Sequence, residues 1–230
     1  MISLRFNNIE NIINFDERYI NILEIADKNL FKAVTYNINK CVKDKENKNI
    51  IMFDDDKVID IDKEIFIVND FFNIDLNNTK VLKLLYKDIS LKYNLEYEKE
   101  NLLLQITDVY NDLIDILNLY EFNFTHKEEV NIEDLIKILN IKFDENIYDN
   151  PFDNLMYLFD VVSNFKICKV IILINAKLFF NEKELYEIYK VALYKDIKLL
   201  LVEYGISDEL LNFENKLYID GDFDEFEIKA

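Results

Sequence analysis

The chain has 230 residues, half of them hydrophobic, which is enough for one large domain or for a domain with a sizeable insertion. Its 45 Asp and Glu outweigh 27 Lys and Arg, giving a formal net charge of −18. Taken alone that balance opposes broad nucleic-acid binding, since phosphates are met by Lys and Arg; it fits solubility, a cation-binding surface or a strongly polarised charge distribution.

In chain order, Ile2 to Phe6 alternates like a short strand, and Tyr19 to Glu24 is a second, with Ile20 and Ile22 on one face. Asp27 is placed to cap a helix running to about Val42, with Leu30, Phe31, Val34, Ile38 and Cys41/Val42 as its inward stripe. Lys28, Lys32, Lys40 and Lys43 lie outside that stripe, where a solvated face is the plain alternative to a phosphate contact. Asn49 to Phe53 and Ile65 to Val68 are further strands. The acid run Asp54-Asp55-Asp56 between them reads as a solvated loop sooner than a cation site.

From about Asn78 to Phe165 the pattern turns helical. Leu102, Ile106, Val109, Leu113, Ile116 and Tyr120 step by four and three as a heptad-type seam, and Leu103, Tyr110, Ile114 and Leu117 form a second strip beside it. An apolar face this wide needs cover from two sides, so the region is expected to be a helical arm that takes part in oligomerisation. Asn131 or Glu129 opens a short helix ending near Leu139, and Pro151 starts a returning helix. The continuous apolar run Lys169 to Ala176 then suits a strand buried on both faces. Asn181 caps the next helix, whose stripe is Leu185, Ile188, Tyr189 and Ala192, and Ile197 to Val202 is a second buried strand. Strand, helix, strand in this form implies parallel pairing with a right-handed crossover. Gly205 and Ser207-Asp208-Glu209 mark a turn and a helix start, and Lys216 to Ile219 is expected as a last edge strand. The fold class is therefore α/β: a mainly parallel head formed by residues 1–77 and 166–230, with an inserted α-helical leg over 78–165.

A parallel α/β head invites a nucleotide, yet the loop after Leu23 is Glu24-Ile25-Ala26-Asp27, without the Gly that phosphate-cradling loops need. The one His, His126, lies in an acidic connection with no Ser or Cys placed near it, so no catalytic residue and no organic cofactor is expected. Asp220-Gly221-Asp222-Phe223-Asp224 resembles the opening of an EF-hand loop, but Glu225 stands where that loop needs Gly. The connection from Glu121 to Asp134 is the better cation candidate, because a helix elbow can gather carboxylates around Ca²⁺; a solvated bend is the alternative. Only Arg5 and Arg18 are arginines, which disfavours bidentate reading of guanine edges and leaves loose Lys–phosphate contact open. Cys41 and Cys168 follow no metal spacing and read as reduced thiols. Without a signal-peptide pattern or an apolar run near the roughly 20 residues that span a bilayer, a cytoplasmic protein with no membrane segment is expected.

The order of these segments resembles a known family. Ile65-Phe66-Ile67-Val68-Asn69-Asp70-Phe71-Phe72, then Asp75 and Lys80-Val81-Leu82-Lys83, is similar to a passage of the ring-forming spacer-acquisition accessory family of type II-A CRISPR systems. So are Ile132 to Leu139, the run Lys169 to Phe180 followed by Glu182-Lys183-Glu184-Leu185, and Leu199 to Glu203. The resemblance spans roughly residues 18 to 220 and rests on many modest matches. It implies a head related to P-loop nucleotide-binding folds with the nucleotide loop lost, plus a helical leg. It also implies a homotetrameric ring that takes double-stranded DNA by its ends through a lysine-lined channel, braced by Ca²⁺ in the leg, without enzymatic activity of its own. The implied role is spacer acquisition in antiviral defence, alongside the adaptation integrase complex and the RNA-guided effector nuclease. The elbow positions matching the calcium ligands are Glu121, Glu128, Glu129 and Asp134. The channel lysines chosen from helix-face clustering are Lys28, Lys32, Lys40 and Lys43. A ring acidic outside and basic inside would reconcile DNA binding with the net charge. Two other readings compete: a residual nucleotide hydrolase, and a structural adaptor that binds protein partners through its acidic surface without DNA.

Overall fold

The computed structural model describes residues 1–44, 49–96, 99–122, 124–125, 127, 131–144, 149–205, 207 and 210–230. Its organising feature is a six-stranded sheet in the order β10-β9-β3-β8-β7-β6. These strands are β3 (Ile20–Ile25), β6 (Ile65–Val68), β7 (Val170–Ile174), β8 (Lys198–Tyr204), β9 (Glu214–Ile219) and β10 (Glu225–Lys229). The first five named run parallel, and every residue of β3 and β7 is buried, as the apolar run Val170 to Ile174 requires. Helix α7 (Glu182–Tyr194) carries the chain from β7 to β8, opened by a capping box in which Asn181 accepts from the Lys183 and Glu184 amides and Glu184 reaches back to the Asn181 amide.

A second, antiparallel sheet was not foreseen from the sequence. β1 (Ile2–Phe6) pairs with β2 (Ile13–Asn14) and β4 (Ile50–Asp54), and β4 pairs with β5 (Lys57–Ile59), in the order β2-β1-β4-β5. Strands of two and three residues are too short to show a period of two. Asp54-Asp55-Asp56 makes the tight β4–β5 connection, with Asp55 at φ 51°. Leu4, Phe6, Ile13, Ile50 and Met52 of this sheet meet Leu23, Ile25, Val170, Ile172, Leu200 and Val202 of the parallel sheet in one core. Val34, Ile38 and Cys41 of α1 (Lys28–Cys41) enter the same core. The alternate residues Ile171, Leu173, Leu199 and Leu201 are as fully buried, on the side of β8 against which α7 packs; α7 in turn packs on α6 (Pro151–Phe165). A four-residue helix, α2 (Ile61–Glu64), precedes β6.

One expectation is corrected. Lys216 to Ile219 belongs to β9, which is not an edge, because β10 pairs with it antiparallel and takes the edge instead. The link Asp220 to Asp224, with its EF-hand-like opening, is the tight turn of that hairpin: Asp220 Oδ1 accepts from the Asp222 and Asp224 amides at 2.9 and 3.0 Å. The Glu225 carboxylate then ties β10 to the segment after β1, accepting from the Glu10 and Asn11 amides and the Asn11 side chain at 2.6–2.8 Å. The helix start expected at Ser207-Asp208-Glu209 falls largely outside the described residues.

The chain divides into two compact units, Met1–Asp75 with Glu145–Ala230, and Leu76–Asp144. Helix α6 therefore belongs to the first unit and not to the leg expected over 78–165. The reason is its apolar face: Leu155, Leu158 and Phe159 are completely buried, and the helix packs on α7. The second unit holds α3 (Thr79–Glu96), α4 (Lys99–Leu117) and α5 (Ile132–Ile138). Leu76, Val81 and Ile136 form its buried centre, α3 packs on α5, and the Asn77 side chain clasps both backbone groups of Phe143 at 2.9 Å. On α4 the half-buried residues are Ile106, Tyr110, Ile114 and Leu117, whereas Val109, Leu113, Ile116 and the following Tyr120 are all more than half exposed. The heptad-type seam is thus uncovered from Val109 to Tyr120 within one chain; the side chains of Leu102 and Leu103 lie outside the described part. Among the described residues no helix is long and apolar enough to cross a membrane.

Ile172 sits at 0% exposure in the shared core, so Ile172→Ala should cost about 2–5 kcal/mol in urea denaturation, with the slope of the transition unchanged.

Candidate nucleic-acid interface and cation site

Helix α1 forms because Asp27 Oδ1 accepts the Leu30 amide at 2.7 Å and because Val34, Ile38 and Cys41 return to the core at helical spacing. Packing that face inward fixes what points out. Lys28, Lys32, Tyr36 and Lys40 step by four along the opposite side, all exposed, and exposed Lys43 follows just beyond the C-cap Val42. At about 1.5 Å per residue, Lys28 to Lys40 covers roughly 18 Å. No Asp or Glu occurs from residue 28 to 43, in a chain with 45 of them. The nearest sequence acids are Asp27, used as the cap, and Asp44, whose Oδ2 is 3.8 Å from Lys40 Nζ. An exposed pair of that kind holds its lysine by about 0–1 kcal/mol, so the stripe stays available to an anion. The β3–α1 connection is only Ala26-Asp27, and the amides that would cradle a phosphate at this helix start face the protein's own carboxylate.

A second lysine group escaped the sequence. Lys166, Lys169, Lys195 and Lys198 line a cleft of about 760 Å³ near the amino ends of β7 and β8. Three of them are tied down: Lys169 to Asp54 at 2.6 Å, Lys195 to Asp160 at 2.8 Å and Lys198 to Asp196 at 2.5 Å. The hydrogen bond from Lys169 holds the Asp54 carboxyl below the usual carboxylate range. Lys166 and Lys195 also cap the carboxyl ends of α6 and α7, where the helix dipole favours a cation and repels a phosphate. The charges of this cleft are balanced, and the α1 stripe is the stronger anion surface.

Of the residues proposed to hold Ca²⁺, Glu128 and Glu129 lie outside the described residues, as does His126. Glu121 is exposed in the turn after α4. Asp134 is the N3 residue of a capping box opened by Asn131; its Oδ2 accepts the Asn131 amide at 3.0 Å and the Lys127 ammonium. The Lys127 hydrogen bond, then that of Asn131, keeps the Asp134 carboxyl below its ordinary range. Among the described residues no three His, Cys, Asp or Glu side chains are grouped closely enough to hold a metal ion. The described residues therefore do not by themselves fit Ca²⁺, and a cation here would compete with Lys127 for Asp134.

Sequence reasoning also missed a buried charged network in the first unit. Glu24, Glu203, Glu214 and Lys216 are each at most 5% exposed. Lys216 Nζ is 2.8 Å from Glu24 Oε2, Lys177 Nζ is 2.7 Å from Glu214 Oε1, and the Tyr189 hydroxyl donates to Glu214 at 2.7 Å. Charged residues inside otherwise apolar strands were the available signal. Cys41 is buried, which pushes its thiol up to about 11, and Cys168 is half-buried; neither is in a disulfide.

The first unit is an α/β assembly with a mainly parallel six-stranded sheet, and the second is helical over its described residues, which defines a two-unit α/β protein with a helical insertion. The family model for CRISPR-associated protein (Cas_Csn2) matches residues 42–223, so the chain belongs to that family. Among similar proteins, CRISPR-associated protein Csn2 of Enterococcus faecalis is 26% identical over 140 residues, 61% of this chain and 64% of that protein, so the match spans under two thirds of that relative's length. Csn2 of Streptococcus agalactiae is 22% identical over 167 residues, 73% of this chain and 74% of that one. The crystal structure of Stu0660 of Streptococcus thermophilus superposes with a TM-score of 0.54 at 12% identity, covering 100% of this chain and 76% of the other, a likeness of fold. The family is CRISPR-associated, and that is the functional setting that membership gives this chain.

Because Lys28, Lys32, Lys40 and Lys43 are exposed, with Lys40 in a loose pair to Asp44, converting the four together to Gln should leave the melting temperature nearly unchanged. Each site should contribute within about 0.5 kcal/mol in thermal denaturation.

Proposed function

We propose that the protein is a non-enzymatic, sequence-independent binder of double-stranded DNA ends that supports spacer acquisition as a ring of four copies. The observation that supports it most is the acid-free, lysine-and-tyrosine face of α1 in a chain of net charge −18. A uniformly acidic protein would repel DNA; one that lines up exposed lysines along a single helix side can meet a phosphate backbone there. Lys rather than Arg supplies point charges without base reading, which suits binding that ignores sequence.

Assembly is supported by the uncovered seam. Val109, Leu113 and Ile116 at heptad spacing, each more than half exposed, form an apolar strip that a second copy would cover. Ca²⁺ enters as a brace only if Glu128 and Glu129, or carboxylates of another copy, complete what Asp134 and Glu121 begin. The adaptation integrase and the effector nuclease are the partners this role calls for.

The test is a gel shift of linear against covalently closed circular DNA, with Ca²⁺ and with chelator, at two salt concentrations. Linear DNA should be retained and circles should not, with log affinity falling linearly in log salt. The four-lysine Gln variant should bind at least about tenfold more weakly and with a shallower salt slope. Chelation should weaken retention. Tight binding to closed circles would sink threading by ends. No binding of either form at low salt with Ca²⁺ would leave a structural adaptor as the function. Leu113→Asp should lower the mass seen by light scattering while the far-ultraviolet helix signal persists.

A further inference from the structure

We propose that Glu203 stores a proton at neutral pH, and that its loss in mild alkali unbalances a buried charge network and loosens the α/β unit. On the helix-α7 side of the parallel sheet, three carboxyls, Glu24 of β3, Glu203 of β8 and Glu214 of β9, share an interior with two ammonium groups. Those are the buried Lys216 of β9 and, reaching in from the rim at 19% exposure, Lys177 of the 3-10 turn Ala176–Leu178. Tyr189 of α7 completes the group.

The two ammonium groups are already assigned. Lys216 is 2.8 Å from Glu24 and also donates to the Ser207 carbonyl at 2.8 Å; Lys177 is 2.7 Å from Glu214. Glu214 has further donors in the Tyr189 hydroxyl and the Leu211 amide, at 2.7 and 3.1 Å. Glu203 is the carboxyl left over. Its Oε1 accepts the Lys177 backbone amide at 3.2 Å, while that residue's ammonium is turned to Glu214. β3 and β8 place Glu24 and Glu203 in direct register, so a second ionised carboxylate would stand beside the first. An uncompensated buried charge costs several kcal/mol, and the lower-energy answer is a bound proton. Burial first, with Glu24 adding a smaller push, drives the Glu203 carboxyl up to about 8; the Lys177 amide, the Lys177 ammonium and the Ala176 amide oppose the rise. The Tyr189 phenol is raised as well, by burial and then by Glu214, so it does not serve as the proton's alternative owner.

Once Glu203 ionises, the Lys177 ammonium is drawn between Glu203 and Glu214. That turn leads directly into Phe179 and Phe180, whose rings lie 5.0 Å from the fully buried Phe71. The strain therefore falls on the packing around the carboxyl ends of β6 and β7.

The sign follows from linkage. The folded chain keeps a proton that an unfolded carboxyl, at its ordinary value of 4.5, has released. The stabilisation is complete below that value, is lost as pH rises through about 8, and levels off above it. Urea denaturation of the full chain and of Glu203→Gln, which mimics the protonated acid, should be compared between pH 6 and 9. Relative to the variant, the wild-type folding equilibrium constant should fall by about a hundredfold over that range, since each pH unit between the two values is worth up to about tenfold. In parallel, ¹³C-labelled glutamate carboxyls are followed by NMR in the wild type, with the Glu203 signal assigned by its absence from the variant. A midpoint near 8 supports the proposal. A midpoint below 6, or pH profiles of wild type and variant that run parallel, overturns it.

Discussion

Three adjacent strands, β3, β8 and β7, turn almost no side chain to water, and that constraint shapes the first unit. A sheet buried on both sides needs two covers. One comes from α7 and α6, the other from α1 and the four-stranded antiparallel sheet. The second cover explains why a chain that reads as repeated strand and helix also spends β1, β2, β4 and β5 on a separate layer. It also explains why α6, on the far side of a long helical insertion in sequence, returns to bury Leu155, Leu158 and Phe159.

The same constraint places charge. Since α1 must turn Val34, Ile38 and Cys41 inward, Lys28, Lys32 and Lys40 are left facing solvent on one line. The candidate phosphate surface is thus the back of a structural helix. Inside the sheet the effect is opposite: Glu24, Glu203, Glu214 and Lys216 are shut away from solvent and depend on fixed partners, Lys177 and Tyr189 among them. An acidic protein thereby keeps two kinds of charge, one loosely held at the surface and one locked in the interior.

Legibility in the sequence tracked burial and length. β7, α7 and β8 could be read because continuous β-branched runs, Asn181 as a cap and a four-residue stripe point the same way. β2 and β5 could not, being two and three residues long, whereas β10 carries a period-two alternation of Glu225 and Glu227 with Phe226 and Ile228 that was legible and went unread. The candidate DNA surface was visible as lysines outside an apolar stripe, but its separation from the balanced cleft at Lys166, Lys169, Lys195 and Lys198 needed ion-pair distances. The acidic elbow was visible as composition only. That Asp134 already serves Asn131 and Lys127 is a matter of local geometry. The buried network was illegible because Glu203 follows Val202 as though the strand had simply ended.

The position of β3 carries a consequence for how the molecule is made. Its two neighbours in the sheet, β8 and β9, both come from the last third of the chain, so residues 20–25 have no strand to pair with in that sheet until residues 198–219 have left the ribosome. The helices α3, α4 and α5, by contrast, have each other within a single stretch of about seventy residues. Vectorial synthesis thus delivers a helical unit that can close while its host is still half made, and leaves the first seventy-five residues waiting with apolar surface uncovered. During that interval the part of the protein most open to chaperones and to misassembly is its amino-terminal third, which includes β3, a strand that ends buried along its whole length.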